Sequence, residues 1–216
     1  MNCAVTAGPT FEPLDTVRRL TNFSTGRLGT QLADYLVDQG HEVVLLRGSS
    51  STFRTASKAA RVIEFGTASD LERHLESLAS TRMDAVFHAA AVNDFGFGKV
   101  WRRSSSGELH EISRGKFSTR EAPLVAELLP VPKLINRLRG WFPDAWLVGW
   151  KYEVDGTRST AVDRARTQFV ESQTDACVVN GPAYGSGFGH LSKDSELLHL
   201  ENSAALFECL ERFMRR

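Results

Sequence analysis

Between Val5 and Gly29 the chain concentrates groups that handle anions: glycine turns at Gly8 and Gly26, with Arg18, Arg19 and Asn22 between them. Within TAGPT, Gly8 lets the backbone turn closely at the carboxyl end of a strand, and Pro9 stiffens that turn. Ser24 and Thr25 stand where they can cap a following helix, whose unpaired N–H groups and positive dipole end favour a phosphate. An ordinary connection needs no such surplus of donors. The chemistry that suits them is the holding and neutralising of phosphate or carboxylate oxygens. No His/Cys/Asp triad for nucleophilic catalysis is evident in the chain.

The glycine spacing departs from the GxGxxG of dinucleotide-binding folds. An NAD(P)- or flavin-binding oxidoreductase of atypical type is the competing reading. It calls for an acid about 20 residues beyond the glycine turn, to hold a ribose. The second strand ends instead in LLRGSSS, where Arg47 would suit only a 2′-phosphate.

The elements that must position these groups follow from the hydrophobic pattern. Short apolar runs alternate with helical patterns, which predicts an α/β, Rossmann-like, doubly wound, mostly parallel sheet with helices on both faces. Strands are expected at 3–7, 42–46, 61–64, 84–88, 145–150, 175–180 and 196–200. Helices are expected from Leu28 to Gly40, after Ser69 (with Glu72 completing a capping box), over 134–138, over 158–171, and at the C-terminus through Ala204, Phe207, Leu210 and Met214. Residues 95–120, rich in Gly, Ser and basic side chains, break the pattern and are expected to form a long loop or hairpin flap. The stretch from Gly181 to Gly189 reads as a glycine-rich loop. With no internal repeat and no linker, residues 1–216 read as a single domain.

Composition excludes several classes. A 42% hydrophobic and 24% charged chain is ordinary for a globular protein, and zero formal net charge implies no general attraction to nucleic acid or a membrane surface. There is no apolar run of membrane-spanning length, and MNCAVTAG enters a strand directly, so the expected location is the cytoplasm. Cys3, Cys177 and Cys209 are too scattered for a disulfide framework or a metal cluster and read as core residues.

Ligands of open parallel sheets sit at the carboxyl ends of strands, near the switch in strand order. TAGPT, HAAAVNDF (88–95), LVGWKYEVD (147–155) and VVNGPAYG (178–185) all lie at such ends. Together with NFSTGRLG (22–29), these segments resemble the phosphopantothenoylcysteine synthetase (phosphopantothenate–cysteine ligase) family, from Val5 to about Leu200. TAGPT followed by VR and N-x-S-T-G matches that family's opening pattern, HAAAVNDF its AAAVxD[FYW] segment, and GWKYEVD its FKLE-like segment. GKFST places Lys116 at the strap lysine, with Lys99 and Arg102 as competitors. VPKLINRL is similar to the helix that follows the strap. One departure is in ARTQFVESQTD, where Gln168 and Ser172 replace lysines and Lys151 is the substitute.

The resemblance implies a stand-alone ligase, without the flavin-dependent decarboxylase domain, acting in coenzyme A biosynthesis. It would join 4′-phosphopantothenate to cysteine through an acyl-nucleotidylate, with CTP or ATP as co-substrate and Mg²⁺ bridging the triphosphate oxygens. It assigns Asn22, Lys116 and Arg18 to catalysis: Asn22 donating to acyl-phosphate oxygens, Arg18 steadying the substrate's anionic end, and Lys116 closing over the intermediate. It assigns Gly8, Pro9, Thr10, Ser24, Gly26, Ala90, Ala91, Asp94, Gly149, Trp150, Lys151 and Asn180 to the nucleotide, with no protein ligand to a metal. It also implies a homodimer.

Overall fold

The run NCAVTA forms β1 (Asn2–Ala7), buried at every position after the first, as befits a strand covered on both faces. In this computed structural model, which describes residues 1–112, 115, 117, 123–193 and 195–215 apart from the Ser195 side chain, β1 lies inside an eight-stranded sheet. On one side of it come β4 (Glu42–Gly48) and then β5 (Arg61–Phe65). On the other come β6 (Ala85–His88), β10 (Trp146–Tyr152) and β11 (Ala176–Asn180), and all six strands are parallel. A final antiparallel hairpin, β12 (Phe188–Ser192) with β13 (Ser195–Leu200), closes the β11 edge. Strand order therefore reverses between β1 and β6, where the doubly wound reading places a ligand crevice.

Helices cover both faces. Helix α1 (Arg27–Asp38) packs with α5 (Ser203–Met214) over Cys3, Val5, Ala7, Val43 and Leu45. On the opposite face α2 (Ala68–Leu78), a 3-10 turn (Leu134–Arg137) and the one-turn α3 (Leu138–Trp141) pack over Ala4, Leu46, Val86 and Leu147. Helix α4 (Arg158–Glu171) covers Cys177 and Val179 on that same side of the sheet. The odd residues of β1 thus face one layer and Ala4 the other, as strand alternation requires.

The expected fold is borne out, with local corrections. The capping box of α2 is Thr67 with Asp70, not Ser69 with Glu72: the Thr67 side chain accepts from Asp70 N and Asp70 returns a bond to Thr67 N. Helix α1 begins after Gly26 in the left-handed region (φ 77°), with no side-chain cap; Thr25 Oγ1 accepts only from Arg27 N at 3.2 Å, and Ser24 does not cap. The stretch read as a loop up to Gly189 already becomes β12 at Phe188, because pairing with β11 overrides its glycines. The flap is a three-stranded antiparallel sheet of β7 (Phe95–Arg103), β8 (Leu109–Glu111) and β9 (Leu124–Pro130). The polar connection after β1 folds as a small hairpin, β2 (Phe11–Pro13) with β3 (Arg19–Thr21), which the pattern did not show.

The terminal helix leaves one titratable group inside. His190, on β12, is fully buried with its ring 4.8 Å from that of Phe213, and neither ring nitrogen has a hydrogen-bond partner among the described residues. Burial, then the neighbouring Arg212, pushes its pKa down to about 4, and burial alone does the same to His88. Because the folded pKa lies below the unfolded one, the unfolded chain binds protons first, and stability present above about pH 6.5 is lost as pH falls toward 4. For each histidine the loss is on the order of 3 kcal/mol. Denaturant unfolding measured between pH 7.5 and 4.5 should show this decline, and His190→Phe should remove about half of it.

Candidate active site at the switch in strand order

The backbone joins the two halves of the sheet just beyond the ends of β1 and β6. Ala91 N donates to Gly8 O at 2.9 Å, Thr10 N donates to Ala91 O at 3.1 Å, and Pro9 and Ala91 form an isolated parallel bridge. Side chains extend the join. Thr6 Oγ1 accepts from Ala90 N at 3.1 Å and shares a 3.0 Å hydrogen bond with Nδ1 of His88, whose burial keeps the ring uncharged. Thr10 Oγ1 accepts from Asn93 N at 2.9 Å, and Thr10 O accepts from Thr21 Oγ1 at 2.8 Å. Thr10 is fully buried and spends its polar groups on this splice rather than on a ligand.

On the α1 side of β1, Gly8 and Gly26 both lie in the left-handed region, and Ser51 packs against them. A Cβ on Gly8 would sit 1.9 Å from Ser51 Oγ, and one on Gly26 would sit 2.7 Å from it. Gly29 lets α1 press against β1, where a Cβ would meet that of Ala7 at 2.7 Å. The helix N-terminus is thereby held close to the end of β1, the arrangement that suits an anion. Ser24 is half-buried beside it.

On the other side, the β2–β3 hairpin leans on β6. Asn93 Nδ2 donates to Leu20 O at 3.1 Å, and Asn22 Nδ2 donates to Ala91 O at 3.2 Å. Asn22 is exposed, and one of its two amide protons is left to serve a ligand. Arg18, expected as a cation for the substrate, donates from Nη2 to Phe117 O at 2.6 Å and lies 3.4 Å from the Asp15 carboxylate. Lys116 lies outside the described residues.

A shallow pocket of about 100 Å³ opens where the expected nucleotide residues converge, lined among others by His88, Ala90, Asp94, Lys133, Trp150 and Gln168. Asp94 is exposed and paired with Lys133. Gly149 is required here, since a Cβ would lie 2.7 Å from Ile135 Cδ1 and 3.1 Å from Gln168 Nε2. Gln168 Nε2 donates to Trp150 O at 3.1 Å, so this side chain braces the strand end, while the Trp150 indole packs toward the α1–α5 core. Ser172 is buried and bonded to Asn136. Lys151 sits 3.3 Å from Glu153, which also pairs with Arg164. Asn180 stands at the end of β11 with a buried Oδ1 that lacks a partner among the described residues.

The structure therefore brings Gly8, Pro9, Gly26, Asn22, Ala90, Ala91 and Asp94 to one crevice, and puts Lys151 and Asn180 at the next strand ends along the sheet. Sequence reasoning passed over Asp15, Asn93 and Lys133. Asp15 carried a signal, because Asp two residues before an amide it can bind is an Asx-turn pattern. Lys133 lay within the VPKLINRL resemblance, but nothing there pointed to its partner Asp94, 39 residues away.

A family model described as the C-terminal domain of DNA/pantothenate metabolism flavoproteins matches residues 1–211. The chain is 35% identical over 184 residues to the coenzyme A biosynthesis bifunctional protein CoaBC of Thermococcus kodakarensis, covering 84% of this chain and 42% of that protein. It is 31% identical over 211 residues to a cysteine/cysteine sulfinic acid decarboxylase of an unknown prokaryotic organism, covering 94% of this chain and 52% of that one. The chain thus spans about half the length of the curated relatives it matches. A solved DNA/pantothenate metabolism flavoprotein from Streptococcus pneumoniae superposes with a TM-score of 0.85 at 24% identity, covering 100% of this chain and 98% of that one. A Cab2 mutant solved in complex with phosphopantothenate-cysteine superposes with a TM-score of 0.73 at 20% identity, covering 99% and 85%. Both likenesses are of fold.

The tight turn at Gly8 makes a mutational prediction. Gly8→Ala should destabilise the protein by roughly 1–2 kcal/mol from the left-handed backbone alone, and further from the clash with Ser51. Adding Ser51→Gly should recover the clash and leave the backbone part, a separation that a double-mutant cycle in denaturant unfolding would read out.

Proposed function

Because the chain belongs to the family of the DNA/pantothenate metabolism flavoprotein C-terminal domain, we propose that it is a phosphopantothenate–cysteine ligase. The observation that carries this reading is the exposed Asn22 carboxamide, held on Ala91 O at the switch in strand order between the Gly8–Gly26 turns and the Ala90–Asp94 pocket. A relative that is a coenzyme A biosynthesis protein and a fold neighbour solved with phosphopantothenate-cysteine support this reading.

A carboxylate resists attack by an amine because oxide is not a viable leaving group. Transfer of a nucleotidyl group from CTP or ATP to the carboxylate of 4′-phosphopantothenate makes a mixed anhydride and releases pyrophosphate. The amine of cysteine then attacks the acyl carbon, and the nucleoside monophosphate leaves. This chemistry needs positioning and charge neutralisation, not a covalent protein nucleophile. Asn22 donates its second amide proton to the acyl-phosphate oxygens, and the N-terminus of α1 with Gly8, Pro9, Ser24 and Gly26 faces the anionic groups. Ala90, Asp94 and Trp150 line the proposed nucleotide pocket, and Gly149 leaves room for Ile135 and Gln168 beside it. Lys133 and Lys151 are the cations at these strand ends, and Lys116 is the cation that the resemblance assigns. Magnesium is proposed to enter on the triphosphate oxygens, keeping several of its waters. No helix among the described residues is long and apolar enough to cross a membrane, and the cytoplasm is the proposed location.

Three-stranded flaps with apolar exposure favour a homodimer. Phe95, Leu109, Val125, Leu128 and Leu129 on β7–β9 are all exposed. Sedimentation at micromolar concentration should return twice the chain mass, and Leu128→Glu with Leu129→Lys should return the monomer.

The direct test follows pyrophosphate and nucleoside monophosphate with each substrate omitted in turn. Pyrophosphate should require phosphopantothenate and a triphosphate, and monophosphate should also require cysteine. Reduction of a nicotinamide cofactor without ligation would replace this reading with an oxidoreductase. Asn22→Asp keeps the shape but puts a negative charge beside phosphates. Losing one such donor costs about 3–4 kcal/mol in the transition state, so kcat should fall at least several-hundredfold with the thermal midpoint unchanged.

A further inference from the structure

The turn of the β2–β3 hairpin carries a carboxylate with more partners than a turn needs. Asp15 Oδ1 accepts from the amides of Val17 at 2.8 Å and Arg18 at 2.7 Å, which completes an Asx turn. Its Oδ2 accepts from the amide of Phe117 at 3.3 Å, a residue 102 positions along the chain. Arg18, itself 3.4 Å from Asp15 Oδ2, donates to the Phe117 carbonyl at 2.6 Å. Both main-chain groups of Phe117 are therefore held by one ion pair, and its ring is buried. The Asp15 side chain is 0% exposed. Burial works against its charge, but the three amides and the Arg18 guanidinium outweigh it and hold the carboxyl below the usual carboxylate range.

An asparagine or serine would build the same turn from one oxygen. A full carboxylate is needed only for the second oxygen, which reaches the connection between β8 and β9 of the flap, and for the cation that shares that segment. Four residues beyond Arg18 on the same hairpin stands Asn22. We propose that Asp15 is a positioning residue which, through Arg18, clamps the chain at Phe117 to the hairpin that carries Asn22. The clamp fixes how the hairpin that carries Asn22 sits against the flap at Phe117. Arg18 is accordingly a structural cation first, with its remaining exposed edge open to a substrate. This role rests on the ligase reading for its catalytic consequence, but the clamp itself does not.

The test uses the full chain and two independent readouts. Arg114, Lys116 and Arg120 are trypsin sites flanking Phe117. Asp15→Asn keeps the turn acceptor, removes the charge, and can set an N–H against the Phe117 amide. Under native conditions cleavage at those sites should accelerate by roughly tenfold or more, the population change that loss of a charge-assisted hydrogen bond carries. Glu108→Gln, at the exposed β7–β8 turn, should leave it unchanged. In the ligation assay, pyrophosphate released per product formed should rise in Asp15→Asn, because a loosened hairpin displaces Asn22 and lets water reach the activated acyl group. Wild-type cleavage in folded Asp15→Asn would overturn the clamp. Faster cleavage with an unchanged pyrophosphate-to-product ratio would overturn the positioning role. A wild-type protein without ligase activity would overturn the function while the cleavage rates still decided the clamp. Should Asp15→Asn not fold, Arg18→Leu removes the bond to the Phe117 carbonyl and takes the same cleavage test with the same outcomes.

Discussion

Parallel strands that diverge from a switch in order leave a crevice at their carboxyl ends, and nothing in the sheet itself holds that crevice to one shape. Here the main chain does so. Ala91 gives its amide to Gly8 and its carbonyl to Thr10, so β1 and β6 stay joined past the last ladder bond. Thr6 and Thr10 bury their hydroxyls in the same join. Everything that faces a ligand is referred to this splice: the glycine turns on one side, the β2–β3 hairpin with Asn22 on the other, and the Ala90–Asp94 pocket above β6. Backbone bonds shielded from water resist deformation far better than a set of surface side chains could.

Most of the positive charge around the crevice is already partnered. Lys133 pairs with Asp94, Lys151 with Glu153, and Arg18 with Asp15. These pairs are not equivalent. Lys133 and Asp94 are both more than half exposed, and such a pair contributes about 0–1 kcal/mol, so a phosphate can take the lysine at small cost. Arg18 is tied to a carboxylate sealed from solvent and to a main-chain carbonyl, so drawing it away strands a buried charge. One class of cation is exchangeable and the other is architectural. A neutral chain can therefore keep a local anion site without a basic surface.

The same economy governs the histidines. His88 and His190 are both buried and uncharged, but His88 has Thr6 as a partner and stands at the crevice, whereas His190 packs on the ring of Phe213 with no hydrogen-bond partner among the described residues. Both tie stability to pH in the same direction, and neither offers a proton near neutrality. That agrees with a reaction run by placement and electrostatics rather than by acid–base transfer.

Much of this was legible in the chain alone. Hydrophobic runs of strand length alternating with helical periods dictate a parallel sheet covered on both faces, because only such a sheet buries runs like CAVTA and ACVV completely. The glycines at 8 and 26 and the donors between them marked the anion platform, since positive φ and surplus amides are local properties. Tertiary structure alone decided the rest. That Thr10 faces inward, that Gln168 braces Trp150, that Arg18 and Asp15 reach Phe117, and that Phe188–Ser192 pairs as a strand all depend on partners far along the chain. A residue's type states what it can bond. Which bond it makes is settled only when the fold brings one candidate within about 3 Å and leaves the others out of reach.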